Sequence, residues 1–293
     1  MKKTFVLGVG AQKAGTTWLY EYLRGHPECA MGHIKEHAVL RAAFSGQRPS
    51  GRIETKVAPL IRALTALGDT EEGAMTPEQG SELLALIDNV AGEIDPAYYL
   101  GNFQRLMAAA PQARLTGDIT PEYCMMDATA LKAVRAAIEG AGYNLKVVFL
   151  MREPLVRIYS SLRMAERNRK DKGLTVGRPA VERFKLQYAA AWVEQRTRYE
   201  VMLEALDTAF DPAQVYVGFY ETFFSQESLA QLLDFLGLSH HPANFSHMAN
   251  ASPKGDDLAA EDIAAAREYY DATYRNCAAR FGEGFIADIW QHY

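Results

Sequence analysis

Short apolar runs alternate with amphipathic stretches along this chain. Runs at residues 5–9, 145–151 and 215–219 are dominated by large or β-branched apolar side chains, and residues 114–117 form a weaker one. Continuous apolar runs of this length are typical of strands that are buried on both faces of a parallel sheet. They predict four strands, and a further strand is expected shortly before Glu36.

Between these runs, apolar residues recur three or four positions apart, which is the helical period. This pattern predicts helices at residues 16–23, 59–67, 127–138, 153–167, 181–206, 229–236 and 259–280. Strands that are separated by helices favour a parallel sheet covered on both faces. The predicted fold class is therefore α/β, a three-layer P-loop-like fold with a central parallel sheet flanked by helices.

Length and composition indicate one ordinary globular domain. The chain has 293 residues, of which 48% are hydrophobic and 23% charged, so it can bury a large core. We expect a single domain over residues 1–293. Two irregular stretches, near residues 45–92 and 168–179, contain glycine, proline or mixed charge and are interpreted as insertions on that core.

Charge and cysteine content narrow the classes of partner. The net charge of −5 provides no overall basic field for nucleic acid, so any anionic ligand must be bound by local groups. The three cysteines are too few and too scattered for a disulfide framework or a thiolate metal site. No apolar stretch approaches the roughly 20 residues of a membrane span. We therefore expect a cytoplasmic protein with no nucleic-acid partner and no membrane insertion.

The segment between the first predicted strand and the first helix has the character of a phosphate loop. Its small residues let backbone N–H groups approach an anion, and the following helix N-terminus adds further donors. Thr16 and Thr17 contribute hydroxyl groups and Lys13 a full positive charge. The glycine spacing is that of a nucleoside-triphosphate P-loop, but Thr16 stands where that motif requires lysine. The loop therefore predicts a phosphate-like ligand without the magnesium apparatus of that motif.

Residues 12–18 read Gln-Lys-Ala-Gly-Thr-Thr-Trp and resemble the 5′-phosphosulfate loop of sulfotransferases that use 3′-phosphoadenosine 5′-phosphosulfate (PAPS). The resemblance implies that Lys13 contacts the oxygen bridging phosphate and sulfate, and that Trp18 packs near the adenine. The glycine and the threonines would hold the 5′-phosphate. The donor-binding residues implied here are Gln12, Lys13, Ala14, Gly15, Thr16, Thr17 and Trp18.

A second phosphate site is predicted where the strand at 145–151 ends. Arg152 follows that strand, and Ser160 lies a little over two helical turns further on, so both could contact one phosphate. The pattern Arg-x-Pro-x-x-Arg-x-Tyr-Ser resembles the 3′-phosphate motif of the same family, which implies that role for Arg152 and Ser160. Near the carboxy terminus, Lys254 and Gly255 resemble the family loop that closes over the nucleotide, although a plain solvated turn is the alternative.

Sulfuryl transfer needs a base, and the sequence offers three candidates. Glu36 and Asp118 lie in segments that resemble those of glycan-type sulfotransferases, in which a Lys-Glu-Pro-His motif carries the glutamate base. Here the proline is missing, which makes His37 a rival base, and Ile119 replaces a common lysine, which weakens the case for a glycan acceptor. The cytosolic small-molecule branch uses a histidine on a core strand, and residues 115–121 contain none. The resemblance is therefore closer to the glycan-type and bacterial members.

The resemblance implies transfer of a sulfuryl group from PAPS to an acceptor hydroxyl or amine, by in-line displacement and without a metal. A carbohydrate is one candidate acceptor, and neither the acceptor nor the oligomeric state follows from the sequence. The basic run at residues 163–172 is interpreted as a solvated helix face rather than a cleft for an anionic acceptor. A P-loop kinase, which would need magnesium, and a non-catalytic nucleotide-binding relative are the alternatives.

Overall fold

A four-stranded parallel sheet forms the centre of the protein. The computed structural model describes residues 2–46, 52–68, 75–245 and 258–293. The strands are β1 (Thr4–Gly10), β2 (Leu115–Ile119), β3 (Asn144–Met151) and β4 (Val215–Phe219), in the order β2-β1-β3-β4. All three neighbouring pairs are parallel, and helices flank the sheet. The predicted α/β class is confirmed.

The two central strands are buried because both of their faces are covered. Phe5, Val6 and Leu7 of β1 are fully inaccessible, as is β3 from Val147 to Met151. Strand β2 approaches β1 closely at Gly117, where a Cβ atom would overlap the carbonyl oxygen of Val6. Glycine is therefore required at this position if the two strands are to pair.

Helices connect the strands and form the outer layers. The first group lies between β1 and β3 and comprises α1 (Thr16–Gly25), α2 (Val39–Phe44), α3 (Arg52–Gly68), α4 (Pro77–Ala91), α5 (Pro96–Ala109) and α6 (Ala128–Gly140). The second group comprises α7 (Pro154–Asp171), α8 (Ala180–Gln187), α9 (Ala191–Glu194), α10 (Tyr199–Ala209), α11 (Tyr220–Phe223), α12 (Gln226–Leu236), α13 (Ala260–Tyr269), α14 (Asp271–Phe281) and α15 (Glu283–Ile289). Short 3₁₀ helices cover Pro121–Met125 and Pro212–Gln214.

Two predicted helices are each broken in the structure. The helix expected over residues 181–206 is divided into α8, α9 and α10, so that prediction was wrong. Long-range hydrogen bonds occupy the groups at the breaks: the Tyr270 hydroxyl donates to the Tyr188 carbonyl at 2.6 Å, and Arg157 donates to the Thr197 hydroxyl at 2.5 Å. The helix expected over residues 259–280 is likewise split into α13 and α14 at the fully buried Tyr270.

The strand expected before Glu36 is also absent from the described residues. The connection from α1 to α2 touches the sheet edge at one isolated bridge, between Cys29 and Leu115. Pro27 has no N–H group to donate, and Gly32 adopts a positive φ of 73°, so the backbone cannot continue a ladder along β2. The segment therefore runs as a loop that brings Glu36 to the carboxyl edge of the sheet.

The predicted insertion at residues 45–92 contains α3 and α4, while residues 168–179 cover the end of α7 and the loop to α8. Lys56 of α3 forms a buried ion pair with Glu93 and donates to Asn89 Oδ1 at 3.1 Å, which ties the two helices together. The single-domain organisation with two insertions stays a prediction. Within the described residues, no helix combines the length and apolar character that crossing a membrane requires.

Candidate active site

A cavity of about 430 Å³ lies beyond the carboxyl ends of β1, β2 and β3. Its walls come from the loop between β1 and α1, the residues that follow β2, and the middle of α7. Tyr220 and Phe224, which follow β4, close one side. Ligands of open parallel sheets bind at this edge. Both predicted phosphate segments, residues 12–18 and the segment from Arg152 to Ser160, lie there.

The loop between β1 and α1 presents unpaired backbone donors to the cavity. Gly15 is the N-cap of α1 with a φ of 89°, and among the described residues no side chain caps the helix. The N–H groups of the first helical turn therefore remain available to an anion. A side chain here would also be tightly packed, because a Cβ atom would lie 3.1 Å from the Phe224 ring. Lys13 adopts a left-handed conformation with a φ of 72°, which bends the loop around the site.

The charge around Lys13 is strongly positive. Its Nζ lies 3.6 Å from the Met164 sulfur, and its pKa is lowered to about 8. Burial is the largest cause, and the positive charges of Arg167, Arg152 and Arg163 follow. Such an arrangement of cations is unfavourable without a counter-charge, so the cavity is suited to a highly anionic ligand.

Arg152 is held firmly at the end of β3. Its guanidinium lies 4.1 Å above the Tyr220 ring, and Nη1 donates to the Lys13 carbonyl at 3.1 Å. The Tyr199 hydroxyl donates to the Arg152 carbonyl at 2.8 Å, which anchors the backbone. Its Nε is buried without a hydrogen-bond partner among the described residues. Arg152 therefore retains donor capacity that a bound anion could use.

Ser160 lines the same cavity from α7 and is 2% exposed. Trp18 lines it from α1, with its ring stacked against Tyr22 at 5.3 Å and Phe245 at 5.5 Å between centroids. The predicted donor residues are thus brought together by the fold, although their roles stay predictions. Gln12, Thr16 and Thr17 also face the cavity, and Ala14 is buried beneath the loop. Lys254 and Gly255 lie outside the described residues.

Of the three predicted bases, only Glu36 lines this cavity. Its side chain is half exposed and forms an ion pair with Lys35. Lys35 is also one of the charges that lower the pKa of Lys13, which places the Glu36 loop close to the phosphate loop. Glu36 is therefore accessible to an acceptor while remaining near the predicted donor site.

Asp118 and His37 lie in the core behind the cavity. Asp118 is fully buried and accepts hydrogen bonds from the hydroxyls of Tyr99 at 3.0 Å, Tyr123 at 2.6 Å and Thr120 at 2.7 Å. His37 is 3% exposed, and burial lowers its pKa. It packs edge-on against the Tyr99 ring. These placements fit structural roles and do not support either residue as the base.

The sequence motifs did not predict several of the residues that line the cavity. Arg196 lies on the wall near β2, with its guanidinium 3.7 Å from the Glu122 carboxylate. Arg41 approaches the other carboxylate oxygen at 3.9 Å. Glu122 and Tyr220 follow β2 and β4. Ligands bind beyond the carboxyl ends of such strands, so these positions could have indicated site residues. Arg196 gave no such signal, because the predicted helix over 181–206 placed it among ordinary helical positions.

The basic run at residues 163–172 serves two purposes. Arg163 lines the cavity, so the prediction of a purely solvated helix face was wrong for this residue. The prediction holds further along: Arg169 donates to the Thr175 carbonyl, and Lys170 pairs with Glu166 at 2.7 Å on the exposed surface. Within this run, the positive charge near the site thus comes from Arg163 and Arg167.

A parallel sheet whose carboxyl edge carries a glycine-bent loop, a helix N-terminus and several cations defines an α/β protein with a site suited to phosphate-like groups. The model of the sulfotransferase family matches residues 6–242, and the chain belongs to this family. A search of curated proteins finds no match.

One solved structure supports the same fold. A crystal structure of a sulfotransferase from Alicyclobacillus acidocaldarius is similar with a TM-score of 0.57 at 18% identity, over 95% of this chain and 96% of that one. The sulfotransferase domain of the Synechococcus PCC 7002 olefin synthase gives a TM-score of 0.46 at 16% identity, over 92% and 96% of the two chains. The sulfotransferase domain from the curacin biosynthetic pathway gives 0.45 at 18% identity, over 82% and 75%.

Proposed function

We propose that this sulfotransferase uses PAPS as its donor and transfers the sulfuryl group to an acceptor hydroxyl or amine, a carbohydrate being one candidate. The observation that carries the proposal is the convergence of Lys13, Arg152 and Ser160 on one cavity beside the uncapped N-terminus of α1. Two separate sets of anion-binding groups suit a donor with two separate phosphate positions.

The 5′ end of the donor fits the loop at residues 13–17. The backbone N–H groups and threonine hydroxyls there would bind the 5′-phosphate, and Lys13 would lie against the phosphosulfate. The ribose 3′-phosphate would bind Arg152 and Ser160. The unpartnered Nε of Arg152 is an unused donor. Burial and then the positive charges of nearby arginines lower the pKa of Lys13, and this tetraanionic donor would neutralise those charges.

In the transfer step, Glu36 would accept the proton of the acceptor hydroxyl or amine as that group attacks sulfur. The bond between sulfur and the bridging oxygen breaks as the new bond to the acceptor forms, and the electron pair remains on the phosphate. Lys13 would stabilise the charge that develops on this oxygen. The products are the sulfated acceptor and adenosine 3′,5′-bisphosphate (3′,5′-ADP), and the proton leaves through Glu36.

Calorimetric titration tests the donor assignment directly. We expect 3′,5′-ADP to bind more tightly than 5′-ADP or ATP, and to do so without magnesium, because the cavity supplies its own cations. A preference for ATP that depends on magnesium would overturn the proposal in favour of a phosphotransferase. Tight binding of 3′,5′-ADP with no turnover of PAPS on any acceptor would indicate a non-catalytic relative.

The role of Glu36 is tested once an acceptor supports turnover. Glu36→Gln should lower kcat by roughly 10²- to 10⁴-fold while leaving the affinity for 3′,5′-ADP unchanged. Glu21→Gln is the matched control, because Glu21 is an exposed carboxylate of α1 outside the cavity. Wild-type kcat in Glu36→Gln would remove Glu36 from the mechanism and return the assignment to Asp118 or His37.

A further inference from the structure

A second cavity of about 480 Å³ lies on the far side of one wall of the candidate active site (the active cavity), and its volume is comparable to that of the active cavity. That wall consists of residues 121–128 and 194–198. Glu122 and Arg196 face the active cavity. Cys124, two positions after Glu122, and Gln195, next to Arg196, face the second one. A volume of this size lies within the range of small-molecule sites.

The floor of the second cavity is apolar. Cys124, Met126 and Ala205 are buried there, and Met125 is half buried. Methionine side chains are flexible and polarisable, so they adapt to apolar groups of different shapes. Val201 adds an apolar side chain that is 60% exposed, on the same face of α10 as Ala205. The cavity therefore offers apolar surface that the fold leaves accessible to solvent.

The polar residues that line this cavity carry an excess of negative charge. Asp127, Glu194 and Glu204 provide three carboxylates, and Arg198 is the one cation in the lining that the structure describes. The Arg198 guanidinium is bound to Glu194 at 2.5 Å, which neutralises that carboxylate. Asp127 and Glu204, both exposed, remain on the rim, although Asp127 also caps α6 by accepting the Ala130 N–H at 2.8 Å. The lining thus combines an apolar floor with an anionic rim.

We propose that this second cavity is a binding site for a small amphiphilic amine. The apolar part of the ligand contacts Met125, Met126 and Ala205, and its ammonium group lies near Glu204 and Asp127. Burial of apolar surface supplies most of the affinity, and the carboxylates select the sign of the ligand charge. The proposal does not depend on the identity of the sulfuryl donor, because none of these residues lines the active cavity.

Methionine methyl NMR tests this proposal, since both cavities contain methionines. Met125 and Met126 report on the second cavity, and Met164, whose sulfur lies 3.6 Å from the Lys13 ammonium, reports on the active cavity. Octylammonium, titrated below its micelle concentration, should shift the Met125 and Met126 signals saturably and leave Met164 unchanged. Octanoate should bind at least about fivefold more weakly. No saturable shift at Met125 and Met126, or equal affinity for octanoate, would overturn the proposal.

Two surface variants separate a specific site from general apolar adsorption. Glu204→Lys should weaken octylammonium binding roughly fivefold, because attraction is replaced by repulsion, and Thr208→Trp should abolish binding by filling the mouth. Glu227→Lys, the same charge change at an exposed position of α12, should bind as the wild type does. Circular dichroism confirms that each variant is folded. Unaltered binding in both Glu204→Lys and Thr208→Trp would refute the assignment.

Discussion

Replacing Arg152 by alanine should weaken the binding of 3′,5′-ADP far more than the binding of AMP. The two ligands differ only in the 3′-phosphate, which we assign to Arg152 and Ser160. The guanidinium is held above Tyr220 and keeps a buried Nε without a partner, so it can donate to a phosphate without being reorganised. The comparison therefore isolates one predicted contact.

The size of the effect follows from the chemistry of that contact. A hydrogen bond to a charged group contributes about 1.5–3 kcal/mol, and a guanidinium can form two with one phosphate. We expect a loss of about 2–4 kcal/mol for 3′,5′-ADP, equivalent to roughly 30- to 1,000-fold in affinity. AMP lacks this phosphate and would lose only a longer-range Coulomb interaction with Arg152. Its affinity should therefore fall about threefold.

Isothermal titration calorimetry at constant ionic strength measures both ligands against both proteins. Arg62→Ala is the matched control, because Arg62 is an exposed arginine of α3 outside the cavity. Equal weakening of AMP and 3′,5′-ADP binding by Arg152→Ala would exclude a direct contact between Arg152 and the 3′-phosphate. That result would mean that Arg152 acts only by holding the phosphate loop through its bond to the Lys13 carbonyl.

Three further predictions concern the same region. Lys13→Ala should lower kcat roughly 10²- to 10³-fold at saturating PAPS, as measured by release of 3′,5′-ADP, and kcat within twofold of wild type would contradict the role of Lys13. A bound anion should raise the Lys13 pKa from about 8. Binding of 3′,5′-ADP above pH 8 should therefore be accompanied by proton uptake. Its affinity should fall by up to about tenfold per pH unit in that range. Calorimetry in buffers of different ionisation enthalpy measures this uptake, and none at pH 9 would be inconsistent with it. Asp118→Asn should reduce the free energy of unfolding in urea by about 1–3 kcal/mol. The reason is that the amide NH₂ group is a donor and would face hydroxyls that donate to the carboxylate in the wild type. The folded variant should keep the wild-type kcat. A large loss of kcat with unchanged stability would instead make Asp118 catalytic.

The phosphate segments could be located from the sequence because each is local. A loop that joins a buried strand to a helix is visible as a pattern of glycine and apolar residues, and Arg152 directly follows an unmistakable strand. The four core strands were located for the same reason. In a parallel sheet, the carboxyl ends of the strands lie at one edge, so the two phosphate segments must lie close together.

The remaining features depend on tertiary contacts that a local pattern does not carry. Asp118 and Glu36 look alike in sequence, but Asp118 is enclosed by hydroxyls, one of them from Tyr99 on α5, while Glu36 faces the cavity. Arg196 reaches the cavity because the helical pattern over 181–206 breaks where Arg157 binds Thr197. Helical periodicity predicted that the segment was helical and could not indicate where long-range hydrogen bonds would interrupt it.

The order of the strands has a consequence for how the protein folds. Strand β1 pairs with β3, so Thr4 lies beside Asn144, and β3 in turn pairs with β4 from much later in the chain. Pairings between such distant segments raise the contact order and slow folding. Lys13 emerges early in synthesis, but Arg152 and Tyr220 reach it only after these pairings form. Acquisition of 3′,5′-ADP binding during refolding would therefore report the completed sheet, and it should lag behind the recovery of helical circular dichroism.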